Sequence, residues 1–317
     1  MTLQNDNSVS DFAVPGRIAV ATDLTDAEYL LPCAIAQARA GRASLILVHA
    51  VLPHESASIE MGTVSSYDPL RMDRDARLLL ENMAREVRGQ GVDCITAVRH
   101  GFVPDVIAEV VRNSRAGRLI LGTHGRRGLK KFVLGSVARQ LLEAIEVPVC
   151  TIGPRAHKGM SPSPSLILHP VSLSGMHQTS AALSFSLGRQ FAVPVMLLHL
   201  VAPGPGVSRD PARAMAAATQ QLGQLIPKDA LSSTQIRVRA AQGTVVAEIL
   251  AAAEETHAGL IVLGVHAPAH SWLPGTEPAA YKILVSAPCP VLSLCVNPAP
   301  VMDQEHEKET TGPVVFG

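Results

Sequence analysis

An internal duplication constrains this chain more than any other feature of its sequence. Shifting the 317-residue sequence by 142 residues lays the apolar run Leu119–Gly122 on Ile261–Gly264. With a gap allowed, the run LVHAV around His49 also matches LLHLV around His199. A repeat of this length indicates two copies of one domain rather than the short units of a solenoid. The chain length allows two domains of roughly 150 residues, each large enough to bury a core.

Each copy alternates short apolar runs with helical patterns, which is typical of an α/β fold. Strand-like runs in the first copy lie at 17–23, 43–51, 92–99, 118–122 and 147–152. The first helical pattern follows Thr25 to Glu28, whose spacing is that of a capping box. Right-handed crossovers would place helices on both faces of a parallel sheet, with ligands at the carboxyl ends of the strands. We therefore predict two tandem, open, five-stranded parallel sheets.

Composition sets the expected domain boundaries. We predict a flexible leader at 1–15, a first domain at 16–154, a polar, Pro/Gly-rich linker at 155–163, a second domain at 164–297 and a flexible tail at 298–317. The leader has no basic start and no apolar stretch, so we expect neither a signal peptide nor a membrane anchor. A cytoplasmic location is the corresponding expectation.

The charge balance limits the kinds of partner that we expect, and the cysteine spacing indicates the state of the thiols. Lys plus Arg and Asp plus Glu number 27 each, which argues against a nucleic-acid or anionic-membrane partner. The five cysteines are scattered without a C-x-x-C pair, which indicates reduced thiols. Cys94, Cys150, Cys289 and Cys295 fall in strand-like runs, and we interpret them as packing residues rather than catalytic or metal-binding ones.

The stretch LILGTHGRRGLKKFVLGS, from Leu119 to Ser136, predicts a strand, a glycine-punctuated basic loop and the start of a helix. Glycines allow the backbone to approach a bound group closely. Free N–H groups and the positive dipole end at a helix N-terminus favour an anion. Four Lys and Arg residues between 126 and 131 add positive charge. The stretch therefore indicates a small molecule that carries phosphate.

Two common phosphate motifs are absent from this stretch. It contains neither GxxxxGK[ST] nor GxGxxG directly after a first strand. The spacing Gly122-x2-Gly125-x9-Gly135-Ser136 instead resembles the nucleotide motif of the ATP-binding universal stress proteins. The resemblance covers nearly the whole chain as two tandem domains and is stronger in the first. It implies a Rossmann-like fold of the adenine nucleotide α-hydrolase type in each copy.

The resemblance also implies a set of nucleotide contacts. Asp23 would contact adenine or ribose, Ala50 would offer its backbone to adenine, and the glycine loop would hold ribose and phosphates. The implied contact residues are Thr22, Asp23, Ala50, Leu121, Gly122, His124, Gly125, Arg126, Gly135, Ser136 and Val137. The implied ligand is ATP, with or without Mg²⁺. The implied role is a stress response in which nucleotide binding changes the contacts with a protein partner that the sequence leaves unidentified.

Several of these residues have a second interpretation. The Asp23 carboxylate could instead brace its loop or cap a helix. Ser136 could cap its helix, a role compatible with donating its hydroxyl to a phosphate. His124 either faces the phosphates or has a scaffold role, since His266 holds the equivalent place in the second copy. The histidines of the LVHAV and LLHLV runs are predicted to be core residues with hydrogen-bond partners.

No catalytic residue is assigned, because no general base is identifiable near Ser136. A slow ATPase or an autophosphorylating enzyme of the same fold is the alternative function. A nucleotidyl-transfer enzyme is disfavoured because HIGH-like and SGGxDS motifs are absent. A pure interaction module, in which ATP only fills the fold, is a third interpretation. No metal site is predicted, since Pro268 breaks the helix that His266 and His270 would need as ligands.

The second copy is predicted to keep the scaffold and lose the site. Gly125 becomes Ala267, the loop that follows carries no Lys or Arg, and Ser172 or Val171 stands where Asp23 stood. Burying a triphosphate without such partners is costly. We therefore predict one ATP per chain, in the first copy. The resemblance also implies that the copies join through their fifth strands, and both runs suit edge strands. We therefore predict an intramolecular pseudo-dimer, with a homodimer left open.

Overall fold

The structure is a computed structural model, which describes residues 14–52, 69–123, 134–156, 161–173, 178–202, 210–240, 243–266 and 278–296. The elements of the first half are β1 Arg17–Ala21, α1 Ala27–Gly41, β2 Ser44–Val51, α2 Pro69–Gly89, β3 Cys94–His100, α3 Val103–Ser114, β4 Arg118–Gly122, α4 Ser136–Ala144 and β5 Val149–Ile152. Those of the second half are β6 Ile167–Pro170, α5 Gln178–Phe191, β7 Val195–Val201, α6 Pro211–Gln224, a 3₁₀ helix Lys228–Ser233, β8 Thr234–Ala240, α7 Val245–Glu255, β9 Leu260–His266, α8 Ala279–Ser286 and β10 Val291–Val296.

The ten strands of these described elements form one sheet in the order β3-β2-β1-β4-β5-β10-β9-β6-β7-β8. Neighbouring strands within each half are parallel, as expected for helical crossovers. At the centre β5 pairs with β10 in antiparallel orientation, with Cys150 opposite Leu292. The predicted α/β fold and the predicted pairing of the fifth strands are both confirmed. The two predicted sheets are therefore continuous with each other.

Helices cover both faces of the sheet and create two apolar cores. Leu30 and Leu31 of α1 belong to the core on one face, whereas Ala138 and Leu141 of α4 belong to the core on the other. β1 and β4 are neighbours, with Ala21 paired to Leu121. The chain thus turns to opposite faces after two adjacent strands, which is the topological switch point where open α/β sheets bind ligands.

The central strands are buried on both faces, and this explains their continuous apolar sequences. Ile18, Ala19 and Val20 of β1 are all fully buried. β1 ends at Ala21, two residues before the predicted end, because Thr22 and Asp23 enter the following loop. None of the helices in the described part of the chain combines the length and hydropathy needed to cross a bilayer.

Helix α8 of the second half packs against the first half beside the β5–β10 pair. Tyr281 of α8 donates its hydroxyl to Glu143 at 3.0 Å, and the Arg139 guanidinium lies 5.3 Å from the Tyr281 ring centre. A Cβ on Gly153 would lie 2.8 Å from the carbonyl oxygen of Leu284. Glycine is therefore needed where the chain leaves β5, since it lets the second half pack closely.

Candidate functional site

The chain leaves β1 through a loop that its own polar groups hold in place. The Thr22 hydroxyl donates to one carboxylate oxygen of Asp26, and the Asp23 N–H donates to the other at 3.4 Å. Leu24 adopts a left-handed conformation with φ 71° and donates its N–H to the Thr22 hydroxyl at 2.9 Å. The loop is thus ordered by internal hydrogen bonds before any ligand is considered.

Asp23 is only partly exposed and has one oxygen engaged within this loop. Its Oδ1 accepts hydrogen bonds from the N–H and the hydroxyl of Thr25, at 2.8 and 2.6 Å. Within the described residues the Asp23 carboxylate has no other hydrogen bond, so Oδ2 is available to a ligand. Loop bracing, the second interpretation of Asp23 from sequence, is therefore present and is compatible with ligand contact.

Asp26 is the residue of this loop that the sequence analysis missed. The predicted capping box at Thr25–Glu28 is wrong, because the N-cap of α1 is Asp26 and its side chain makes no capping hydrogen bond. The carboxylate instead turns back to the loop and is only 5% exposed. Burial raises its pKa to about 6, although the hydrogen bond from Thr22 opposes the shift. A carboxyl group that titrates near neutral pH therefore supports the end of β1.

The end of β4 is tied directly to the start of α4. Thr123, which follows β4 and is buried, donates its N–H to the Ile152 carbonyl at 3.1 Å and accepts from the Gly135 N–H at 3.0 Å. A Cβ on Gly135 would lie 3.0 Å from the same Thr123 carbonyl oxygen. Glycine thus allows the N-terminus of α4 to lie against the strand end. Sequence spacing identified Gly135, but it did not identify this contact or Thr123.

Within the described residues, the N-terminus of α4 presents hydrogen-bond donors that have no acceptor. Gly135 is the N-cap, and the Arg139 N–H makes the first intrahelical bond, to the Gly135 carbonyl at 3.0 Å. The N–H groups of Ser136, Val137 and Ala138 precede that bond and have no intrahelical acceptor. Together with the helix dipole they form an anion-binding end. Ser136 is exposed and is the first helical residue, so the interpretation of Ser136 as the cap is wrong.

The remaining described residues of the predicted set lie at the same edge of the sheet. Leu121 is buried beside Ala21, and Gly122 ends β4. Ala50 lies in β2 two positions beyond Val48, the partner of Ala21, and is therefore level with the loop after β1. The predicted residues His124, Gly125 and Arg126, together with the rest of the basic cluster up to 131, lie outside the described residues.

A histidine in β2 braces this edge. His49 Nδ1 lies 2.9 Å from the Thr22 carbonyl oxygen, and in the second half His199 Nδ1 lies 2.8 Å from the Val171 carbonyl oxygen. The predicted hydrogen-bond partners of these two histidines are confirmed, but the prediction that both lie in the core is wrong, because each is only partly buried at the strand end. The shared brace also aligns the two halves, since Val171 takes the place of Thr22.

This alignment settles which residue replaces Asp23. Ser172 follows Val171 as Asp23 follows Thr22, so the second half carries a neutral hydroxyl where the first carries a carboxylate. The strand pairing agrees, because the Thr22 N–H donates to Val48 and the Val171 N–H donates to Leu198.

The helix start differs between the halves more sharply than the strand end. The N-cap of α8 is Pro278, with φ −58° and ψ 146°, whereas the N-cap of α4 is Gly135, with φ −60° and ψ 148°. The backbone conformations are the same, but proline has no N–H. The bond that Gly135 makes to the strand end therefore cannot form in the second half. Ala279 follows Pro278 and lacks the hydroxyl that Ser136 carries.

Comparison with known proteins assigns both halves to the same family. The model of the universal stress protein family matches residues 16–152 and again residues 167–294. No curated protein sequence shows a significant match to the chain.

Solved structures resemble the chain over most of its length. A universal stress protein from Archaeoglobus fulgidus DSM 4304 matches with a TM-score of 0.67 and 17% identity, covering 88% of this chain and 98% of its own. A functionally unknown protein from Pseudomonas aeruginosa PAO1 matches with a TM-score of 0.64 and 17% identity, covering 91% and 95%. A universal stress protein assigned as putative, from Pseudomonas aeruginosa UCBPP-PA14, matches with a TM-score of 0.62 and 16% identity, covering 90% and 95%. At these identities the structures share the fold, and the family match to both halves shows that this chain belongs to the universal stress protein family.

Proposed function

We propose that this protein binds one adenine nucleotide, ATP, at the edge between β1 and β4, and that the bound nucleotide governs its contacts with a protein partner during stress. The observation that carries the proposal is the contact between Gly135 and Thr123, which holds the start of α4 against the end of β4. It places the free N–H groups of the first turn of α4 beside the strand ends. Such an arrangement suits a phosphate group.

Asp23 supports the nucleoside side of the proposal. It follows β1, which is the neighbour of β4, so its free carboxylate oxygen and the helix start lie at adjacent strand ends. A carboxylate accepts hydrogen bonds from ribose hydroxyls or from the adenine amino group but repels phosphate. The two groups therefore favour a ligand with a polar nucleoside part and an anionic part.

Titration calorimetry of the full-length protein with ATP tests the proposal. We expect a stoichiometry near one. Gly135→Ala should weaken binding about tenfold or more, because the added Cβ pushes the helix start away from Thr123. Gly223→Ala is the matched control, since a Cβ there meets no atom within 4 Å. Absence of ATP binding, two equivalent sites, or an unchanged affinity in Gly135→Ala would contradict the proposal.

Incubation with labelled ATP separates a binder from an enzyme. A binder releases intact ATP on denaturation, and mass spectrometry of freshly purified protein should identify the same nucleotide. Steady release of phosphate, or transfer of label to the protein, would instead support the ATPase or autophosphorylating alternative.

A further inference from the structure

A polar cluster lies inside the apolar core under α1, away from the candidate nucleotide site. Its members are Cys33 and Gln37 of α1, Arg118 at the start of β4 and Cys150 of β5. The Gln37 side-chain NH₂ lies 3.3 Å from the sulfur of Cys33 and 3.3 Å from the sulfur of Cys150. The Gln37 carbonyl oxygen accepts a hydrogen bond from Arg118 at 2.9 Å. All four residues are at most 5% exposed.

The second half shows that the fold does not need these polar groups. Arg42 and Ala192 are the left-handed residues that follow α1 and α5, and counting back from them aligns Cys33 with Leu183 and Gln37 with Leu187.

The strand registers provide the other two counterparts. Leu119 pairs with Val149 as Ile261 pairs with Val291. Arg118 therefore corresponds to Leu260, and Cys150 corresponds to Leu292. All four counterparts are buried leucines of the core. Leucine fills the same four positions in the second half. Burying a guanidinium beside two thiols costs desolvation free energy, so packing alone does not explain these residues.

The cluster distinguishes its two thiols chemically. A hydrogen bond from Cys33 lowers the pKa of the Cys150 thiol and outweighs burial, which acts in the opposite direction; Gln37 and Arg118 also lower this pKa. The same hydrogen bond, together with burial, raises the pKa of the Cys33 thiol. Cys150 is therefore the sulfur that more readily becomes a thiolate, and Cys33 retains its proton. Burial lowers the pKa of Arg118 to about 10, and negative charge on either sulfur counteracts that shift.

We propose that Cys33 and Cys150 are a redox-active pair, which a small hydroperoxide such as hydrogen peroxide oxidises to an intramolecular disulfide. The Cys150 thiolate attacks one peroxide oxygen, the O–O bond breaks, and hydroxide leaves to give a sulfenic acid at Cys150. The Cys33 sulfur then attacks the Cys150 sulfur, and the S–O bond breaks. The hydroxide released from the Cys150 sulfur takes the proton of Cys33 and leaves as water. The hydroxide released from the peroxide takes the proton that the Cys150 thiol gave up and forms the second water. In total two thiols and one peroxide give one disulfide and two waters.

The remaining cysteines provide internal controls. Burial raises the pKa of the Cys94 thiol to about 11 and that of the Cys289 thiol to about 12. It also raises the pKa of Cys295. These thiols react more slowly because the thiolate is the nucleophile. A reagent as small as peroxide reaches the buried pair through local opening of the core, whereas a bulky alkylating reagent is hindered.

Peptide mapping of full-length protein treated with hydrogen peroxide tests the pair. After alkylation in denaturant, we expect loss of two of the five thiols, a linked Cys33–Cys150 peptide, and full reversal by dithiothreitol. Cys94→Ala is the matched control and should leave the linked peptide unchanged. Retention of five thiols, or a disulfide that includes Cys94, Cys289 or Cys295, would overturn the proposal.

Two further variants test the roles within the cluster. In Cys33→Ala oxidised with hydrogen peroxide and then unfolded in denaturant that contains dimedone, this sulfenic-acid probe should label Cys150, and label at another cysteine would overturn the assignment. Arg118→Leu should slow disulfide formation about tenfold, and Arg118→Lys should restore much of the rate. An unchanged rate in Arg118→Leu would show that proximity alone drives the reaction and would overturn the role of the guanidinium.

Discussion

The two halves of this protein share one scaffold and differ in a few polar positions. The histidine brace at the end of the first strand, the strand registers and the left-handed residue after the first helix recur in both. The helix start beside the fourth strand and the cluster under the first helix do not recur. The comparison shows that apolar periodicity specifies the fold, whereas a small set of hydrogen-bond donors and charges distinguishes the candidate site from its counterpart in the second half.

The largest expected effect comes from exchanging the two helix caps. Gly135→Pro should reduce ATP affinity about a hundredfold, because the N–H that binds the Thr123 carbonyl is lost and the added ring crowds that oxygen. The φ of −60° at Gly135 suits proline, so the fold should persist. Calorimetry measures the affinity and circular dichroism checks the fold. The reverse change, Pro278→Gly, should create no second site, and a stoichiometry of two in that variant would contradict our account of the second half.

An effect of similar size, on stability rather than on affinity, is expected from introducing the leucines of the second half into the buried cluster. Arg118→Leu should lower the free energy of unfolding by about 3 kcal/mol, because the buried Gln37 carbonyl loses its donor. Gln37→Leu/Arg118→Leu should cost less than the sum of the two single variants by about 1 kcal/mol or more. Denaturant titrations of the three variants measure this coupling. Strict additivity would show that the pair does not interact.

The third comparison concerns pH. Because the pKa of Asp26 is raised in the folded state to about 6, from an ordinary value of 3.8, the protonated form favours folding. The contribution of protonated Asp26 to the free energy of unfolding is fully present below about pH 3.8 and is lost as the pH rises through 6. It amounts to at most about 3 kcal/mol. Asp26→Asn should remove this pH dependence, because asparagine does not ionise. The unfolding free energy of the variant minus that of the wild type should therefore become more positive from pH 4 to pH 7. A constant difference across that range would contradict the shift.

The smallest effect is expected at the strand end. Asp23→Ser introduces the residue of the second half and should weaken ATP binding about tenfold, since a hydroxyl replaces a charged acceptor. Ser172→Asp is the control and should confer no binding. An equal affinity of wild type and Asp23→Ser would indicate that Asp23 only braces its loop.

Much of this organisation could be predicted from the sequence. The repeat, the parallel sheets and the recurring histidines follow from apolar patterns and from residues that recur, whereas the fifth-strand pairing is implied by the resemblance to the family. The glycine spacing also identified Gly135 as a candidate site residue, although it did not identify the contact of Gly135 with Thr123 at the end of the fourth strand.

The polar details could not be predicted in the same way. Asp26 is next to Thr25 in a sequence that suits a capping box, and only the fold turns its carboxylate back to Thr22. Cys33, Arg118 and Cys150 are far apart in the chain, and cysteines in apolar runs indicate packing. The side chains meet because α1 crosses β4 and β5, which is a tertiary property that no local spacing encodes.

The antiparallel junction also determines where the candidate site and its counterpart lie relative to each other, which bears on the proposed function. Since β5 and β10 run in opposite directions, the carboxyl ends of the strands in the two halves lie at opposite edges of one sheet. Two equivalent halves would offer a partner the same surface at both ends, and partners that are themselves bivalent would then link such molecules into chains. A molecule with one competent end binds a single partner and terminates such a chain. Under the proposed function, Pro278 and Ser172 together leave the second half without a site on an unaltered scaffold, and the tandem protein would then be monovalent.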